Sequence, residues 1–598
     1  MCGIVGYVGK ERAAEVLIKG LRSLEYRGYD SSGIAVYNGA NLVVEKRAGR
    51  IANLERALSE KAVFGRCGIG HTRWATHGAA TDDNAHPFTS EYNKFAVVHN
   101  GIITNYLSLA EYLSARGVSF RSQTDSEVIA HLIDCFYTGD ALSAICQAVS
   151  MLKGSFALGV ISVFEPNVLY GVRKDSPLIV GKGERGNFIC SDISGISDFS
   201  DVFCPLENNE IVRVSDAGVE SFDFEKNAVP LFFRPVERDD PTSDLVRYGS
   251  YMLSEIHQIK DSLRATFAAF PQEKIKRVLL GNFRKIEIVG CGSAYHAALV
   301  FCSAMQEIAG VEVRAHIASE FLTQRWAGGE NTLFIAVSQS GETADTLQAV
   351  RRAKESGAKI LSVCNVRASS LVRLSDEAVI TRCGTERAVA ATKSYVAQVF
   401  VLLQICLLYA DFTGKIKKSE SEKFALELSA LPQKTDLVLA KEPEIAELCH
   451  HLKDAEAVFF LGRGADYAAA KEGSLKLKEV SYLFSEAYPA GELKHGTLAL
   501  MEKGVAAVLI ATDPLLAEKN AASIAEVKCR GASAYALACE NSAAVLDADK
   551  VIALPFVSSP FSPVLSSVAM QLIAYYAAKY RGCDMDKPRN LAKSVTVE

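Results

Sequence analysis

The second half of this chain repeats itself, and the repeat restricts its possible folds more than any other feature. Gly290-Cys291-Gly292-Ser293-Ala294-Tyr295-His296-Ala297-Ala298 matches Gly462-Arg463-Gly464-Ala465-Asp466-Tyr467-Ala468-Ala469-Ala470 at a spacing of 172 residues, 462 against 290. Further on, the apolar run Phe334 to Val337 corresponds to Val508 to Ile510. Short apolar runs alternate with long helical patterns throughout this half, as parallel α/β units do. Two tandem copies of one doubly wound fold are expected, with a boundary near Ser419 to Lys434. The copies differ after one strand: the first has Ser338-Gln339-Ser340-Gly341-Glu342-Thr343 where the second has Thr512-Asp513-Pro514. Only the first looks built to hold an anion.

Up to about Arg234 the pattern is different. Short apolar or alternating runs at Ser32 to Tyr37, Phe95 to Val98, Ser155 to Val163 and Val168 to Val172 read as strands of an antiparallel core. Helical patterns at Ala13 to Leu24, Tyr106 to Ala115 and Ser126 to Tyr137 interrupt them. Sheets with helices packed outside, an α+β layered domain, are expected. The charged segment Arg234 to Asp244, with two prolines and few large apolar side chains, reads as a linker.

With 598 residues, 49% of them hydrophobic and 23% charged, the chain has material for about three domains with real cores. A net charge of -5 and the lack of any strongly basic segment argue against a nucleic-acid or membrane partner and favour small molecules. The 15 cysteines are scattered without C-x-x-C pairs, and no charged-then-apolar leader precedes them, which suits a reducing cytoplasm. No metal-ligand spacing stands out, and His450-His451 reads as a helix surface feature. Val396 to Phe412, interrupted by Gln398 and Gln404, reads as a core helix.

Several groupings carry chemistry. Cys2 directly follows Met1, so removing one residue would give a thiol its own α-amine as base, with a proton-transfer cost near 1 kcal/mol. His71 to Gly78 contains Arg73, suited to clamp a carboxylate; Asp125 can take an ammonium; and Asn100 with the Gly101 N–H can form an oxyanion hole. Together these read as a site for an amino acid beside a thiol able to attack an amide. Ser338 to Thr343 lies between a strand pattern and a helix start, where hydroxyls and free N–H groups favour a phosphate. Gly290-Cys291-Gly292 lacks the third glycine of a dinucleotide fingerprint, so no nicotinamide cofactor is inferred. Glu472, Lys476 and Glu479 share one helix face, which alone suits a solvated ion-pair ladder. The nearby Gly491-Glu492-Leu493-Lys494-His495-Gly496, a glycine-bracketed loop, adds an acid, a cation and an imidazole suited to proton transfers on a sugar.

These motifs, with Tyr26 to Ser31 and the tail Asp586 to Glu598, resemble the isomerising glutamine:fructose-6-phosphate amidotransferases over essentially the whole chain. The resemblance implies an α+β N-terminal nucleophile glutaminase, layered αββα, over 2–236, a linker over 237–248, and two α/β doubly wound sugar-isomerase domains over 249–424 and 425–582. It implies a tail, 583–598, that enters the sugar site. Cys2 would attack glutamine, with Asn100 and Gly101 at the oxyanion and Arg27, Arg73, Thr76, His77 and Asp125 around the amino acid. Trp74 would gate an internal ammonia channel. Ser293, Ser338, Gln339, Ser340 and Thr343 would bind the phosphate of fructose 6-phosphate, with Glu472 and Lys476 completing the polar wall. His495 would assist ring opening, Lys593 would form or support an imine at C2, and Glu479 would move a proton between C1 and C2. The implied product is glucosamine 6-phosphate, at the first step of amino-sugar synthesis, made without metal or organic cofactor by a homodimer sharing its sugar site. The chain departs from the family pattern at Ala294, Ser250 and Ser254. A phosphoribosyl-diphosphate amidotransferase would need an acidic-pair loop absent here, and a sugar-phosphate sensor a basic helix-turn-helix.

Overall fold

A computed structural model of the chain describes residues 2–25, 28–61, 63–74, 77–236, 247–281 and 283–595. The chain divides into two compact units, Met1–Asp239 with Ser594–Glu598, and Asp240–Lys593. Most of the expected linker, 237–246, lies outside the described residues. Arg234–Pro235, which composition places at its start, is instead an edge strand paired with Val202 and Phe203. An edge position tolerates proline because its missing N–H is not needed by a further strand.

The first unit is built on two antiparallel sheets, one of eight strands and one of six. Alternation along Gly3–Gly9 explains the layering. Ile4 and Val8 pack with Val98, Ile161 and Val212 of the six-stranded sheet, whereas Val5 and Tyr7 pack with Leu17 and Leu21 of the helix Ala13–Ser23. On the far side, Phe95, Val97 and Leu158 bury against the helices Glu127–Phe136 and Ala141–Met151. The order is helix, sheet, sheet, helix, and each strand or helix named from the pattern is present within about two residues of its expected ends, save that the run Phe95 to Val98 extends to the strand Phe95–Ile103.

The second unit holds two parallel five-stranded sheets of identical strand order, with the first strand second from one edge in each. The repeat is visible in the backbone. Gly292 and Gly464 each precede a helix with nearly the same angles, φ 53, ψ -125 and φ 56, ψ -127, a region open to glycine. The strands Lys285–Gly290 and Ala457–Gly462 keep the 172-residue spacing, but Thr332–Ser338 and Val505–Ala511 begin 173 apart, 505 against 332, so the copies differ by one residue in between. The expected boundary between 424 and 425 falls inside one continuous helix, Lys418–Leu439. Its charged residues are good helix formers on an exposed face, so polarity there marks a surface and not a break.

Two helices, Lys393–Phe412 and Ser559–Tyr580, are long and apolar enough to cross a membrane, but 83% and 94% of their apolar windows are buried inside the protein. They are core helices, joined in one apolar cluster with both sheets of this unit. All fifteen cysteines are free thiols.

Candidate functional site

Cys2 sits at the mouth of a central strand. Gly3–Gly9 pairs with Cys67–Arg73, so the residue after that neighbour, Trp74, meets the thiol: Trp74 N donates to Sγ at 3.3 Å, and Sγ lies 3.6 Å from Trp74 O. The facing sheet supplies Phe95–Ile103, from which Asn100 Nδ2 donates to the Cys2 carbonyl at 3.0 Å. Gly101 follows at φ +132, where an added Cβ would lie 2.0 Å from the Ser155 carbonyl oxygen, so only glycine fits. Burial raises the Cys2 thiol pKa; the positive chain start, the Trp74 N–H and Arg73 oppose that rise.

Arg73, buried at the end of its strand, donates to the carbonyls of His77, Gly78 and Ala79, and so shapes the loop beside the thiol. Asp125 accepts from Ile103 N at 2.7 Å and from Ser126 Oγ at 3.3 Å, and its charge reaches both Cys2 and Arg73. Trp74 meets Tyr29 edge-on, and His77 meets Tyr106. Arg27 and Thr76 lie outside the described residues. Composition and spacing did not single out what lies behind this site, a buried trio of imidazoles from His71, His86 and His99.

In the second unit the serine loop is braced as a turn into the helix Ala344–Glu355. Ser338 Oγ accepts from Gly341 N at 3.0 Å and lies 3.1 Å from Thr343 Oγ1, and Ser340 Oγ accepts from Glu342 N at 3.2 Å. The Gln339 carbonyl accepts from Asn365 N, which ties the loop to the next strand end. Gly341 stands at φ +67, against Ser369. Ser293 is not drawn to this loop by its hydroxyl: Oγ donates to Glu472 Oε1 at 2.8 Å.

Glu472, Lys476 and Glu479 do share a helix face, on Ala465–Ser481, but it is an interior face. Lys476 is 1% exposed and bridges Glu472 at 3.5 Å and Glu479 at 2.5 Å. Burial would lower its pKa; the two carboxylates overcome that and raise it, so it stays a cation. His296 from the first copy reaches Glu472 at 2.8 Å, so one carboxylate in the middle of the second copy's helix binds the start of the first copy's helix Ser293–Ala304. Asp466, at the position matching Ala294, turns its carboxylate onto the second copy's loop, accepting from Thr512 N at 2.8 Å, from Thr512 Oγ1 and from Ser562 Oγ.

Lys593 is paired with a residue the sequence reading did not select, Glu386. This fully buried carboxylate also accepts from Thr392 N and Ser394 N, each at 3.0 Å, and from Ser394 Oγ at 2.6 Å. Burial would raise its pKa, but the Lys593 ammonium and these donors outweigh burial and hold it low. Glu255 lies beside it, raised by burial and by the Glu386 charge. The signal available in advance was chemical: a lysine near the chain end, placed in a site, needs a counter-charge. The tail is anchored upstream by Asp586, whose carboxylate accepts from Tyr251 N and Met252 N at a helix start. The loop expected at Gly491 to Gly496 is a tight turn, Ala490–His495, and leaves His495 exposed with no side-chain hydrogen bond or ion pair among the described residues.

A glutamine amidotransferase domain matches residues 71–197, and the SIS domain matches twice, over 279–408 and 451–580. Fold and site thus define a glutaminase domain joined to a duplicated sugar-isomerase domain. The chain is 43% identical to a glutamine–fructose-6-phosphate aminotransferase (isomerizing) of Clostridium acetobutylicum and 44% identical to that of Clostridium tetani, in both cases over 100% of each chain. Among solved structures, the C-terminal domain of glucosamine-fructose-6-phosphate aminotransferase from Francisella tularensis is 34% identical, with TM-score 0.55, covering 57% of this chain and 99% of that one. The chain belongs to the isomerizing glutamine–fructose-6-phosphate aminotransferases.

Proposed function

We propose that the chain transfers the amide nitrogen of glutamine to fructose 6-phosphate with isomerisation, giving glucosamine 6-phosphate and glutamate. The observation that carries this reading is full-length similarity to enzymes of that name, joined to two separate clusters of fitting chemistry in one chain. With Met1 removed, Cys2 attacks the side-chain amide carbon of glutamine. Asn100 Nδ2–H and the Gly101 N–H stabilise the oxyanion; ammonia leaves, and water then releases glutamate from the thioester. Arg27, Arg73, Thr76, His77 and Asp125 hold the amino-acid end, and Trp74 covers the thiol.

In the sugar half, Ser338, Gln339, Ser340 and Thr343 take the phosphate, with Ser293, Glu472 and Lys476 behind it. Lys593 forms an imine at C2 of the open-chain ketose with loss of water, ammonia replaces the lysine, and Glu479 carries a proton between C1 and C2. Lys593 must lose a proton first, and the Glu386 carboxylate in contact with it holds the ammonium in place until then. His495, without a side-chain hydrogen bond or ion pair among the described residues, assists ring opening in the site of a neighbouring subunit, and the working form is a homodimer. No metal or organic cofactor is needed, and fifteen free thiols suit a cytoplasmic setting.

The test is to follow glutamate and glucosamine 6-phosphate separately in the full-length protein. Lys593→Ala should abolish amination and leave glutamine hydrolysis, and Cys2→Ala should abolish both when glutamine is the donor. Loss of both activities in Lys593→Ala would overturn the assignment of separate sites.

A further inference from the structure

We propose that His71 is the positioning residue for the Asn100 carboxamide, fixing which end of that amide faces the reacting thiol. The inference deepens the reading of Cys2 and Asn100 as the glutamine site and rests on it. His71 lies in the strand Cys67–Arg73, paired with Ile4 on one side and Gly33 on the other, and is fully buried. Its Nε2 is 3.0 Å from the His99 carbonyl oxygen and 3.0 Å from Asn100 Oδ1. Both neighbours are acceptors, so Nε2 carries the hydrogen. Nδ1 has no hydrogen-bonding partner among the described residues, which suits the bare nitrogen of that tautomer. Burial first of all, against the Asn100 and His99 contacts, pulls the imidazole pKa down to about 3, so the ring is neutral and offers this one N–H. The His86 ring packs on it at 4.0 Å and limits its rotation.

An amide oxygen bound by an N–H cannot turn away without loss. Rotated by half a turn, Asn100 would set its NH2 against the His71 N–H and its Oδ1 against the Cys2 carbonyl, two repulsive contacts in a buried place. It would also aim an oxygen at the point where negative charge develops on the substrate. The present orientation aims Nδ2–H there instead. His71 therefore acts on the rate of amide cleavage through Asn100 and has little part in holding glutamine.

The experiment compares His71→Leu, which keeps bulk and removes the donor, with His71→Gln, whose amide nitrogen reaches the same place. Glutamine hydrolysis in His71→Leu should fall in kcat by roughly tenfold to a hundredfold, below the loss of about 100-fold or more seen when an oxyanion donor itself is removed. KM for glutamine should change much less, and His71→Gln should recover most of the rate. If His71→Leu does not accumulate folded, His71→Asn, too short to reach Asn100, takes its place. A kcat unchanged without the donor, or a Gln variant no faster than the donor-free one at equal thermal stability, overturns the proposal. Asn100→Ala is measured alongside: if it still cleaves glutamine normally, the glutamine site itself is misassigned.

Discussion

Replacing Glu386 by Gln removes the charge opposite Lys593, exchanges one acceptor of the Ser394 hydroxyl for an amide group and lifts the repulsion on Glu255. The side chains of Lys593 and Glu386 are 5% and 0% exposed, so the pair is sealed from water. Removing one partner of such a pair leaves a bare buried charge, at about 3–5 kcal/mol. That corresponds to roughly two to four powers of ten in an equilibrium. Turning the segment that carries Lys593 out into solvent would relieve that cost. The tail before it stays pinned, since Asp586 is held by Tyr251 N at 2.9 Å and Met252 N at 2.8 Å. The expected result is a folded protein in which the segment around Lys593 is released: amination down by about a hundredfold or more, glutamine hydrolysis nearly unchanged. The assay is the ratio of glucosamine 6-phosphate to glutamate formed, with limited trypsin cleavage after Lys593 as a direct readout of release. Amination close to wild type, or cleavage after Lys593 no faster than in wild type, would refute the reasoning.

Two further outcomes follow from single positions. Burial, and secondarily the Asp513 charge, lifts the Asp466 carboxyl from an ordinary 3.8 to about 6 against its bonds from Thr512 and Ser562. The folded state then binds the proton more tightly than the unfolded one, so its contribution is complete below 3.8 and lost as pH rises through 6, on the order of 3 kcal/mol. Urea denaturation of Asp466→Asn between pH 4 and 8 should lack that component; an unaltered pH profile would count against it. Gly101→Ala forces a side chain into φ +132 and onto the Ser155 carbonyl, costing roughly 1–3 kcal/mol in strain before any shift of the strand. Glutamine hydrolysis should collapse, and fructose 6-phosphate binding measured by calorimetry should be preserved.

Local and periodic information was readable in the linear sequence. Glycine-x-glycine before an alanine-rich helix announced both copies of the doubled fold, because that turn demands the backbone found at Gly292 and Gly464. The helical stripe of Ser126 to Tyr137 gives the helix Glu127–Phe136 nearly to the residue, whereas the apolar run Phe95 to Val98 marks only the first part of the strand Phe95–Ile103. Long-range pairings were not readable. Glu386 and Lys593 are 207 residues apart, and nothing in Gly384-Thr385-Glu386-Arg387 separates a buried counter-charge from a surface acid. The family resemblance puts Ser293 with the phosphate loop, yet its hydroxyl turns to Glu472, 179 residues on. Lys476 on its helix could equally have been a surface ladder; only the packing of the two copies put it inside. His71 was within a quoted motif, but its partner's amide orientation is a fact of three dimensions.

Asp466 has a consequence for how duplication was used. By setting a carboxylate of its own against Thr512, the later copy fills the place that in its twin the serine loop leaves to hydroxyls. Its helix is turned instead toward the first copy: Glu472 spans to Ser293 and His296, and Lys476 and Glu479 line up behind. On the proposed reading the two copies build one sugar site between them, and each polypeptide should therefore titrate with a single equivalent of phosphorylated ketose.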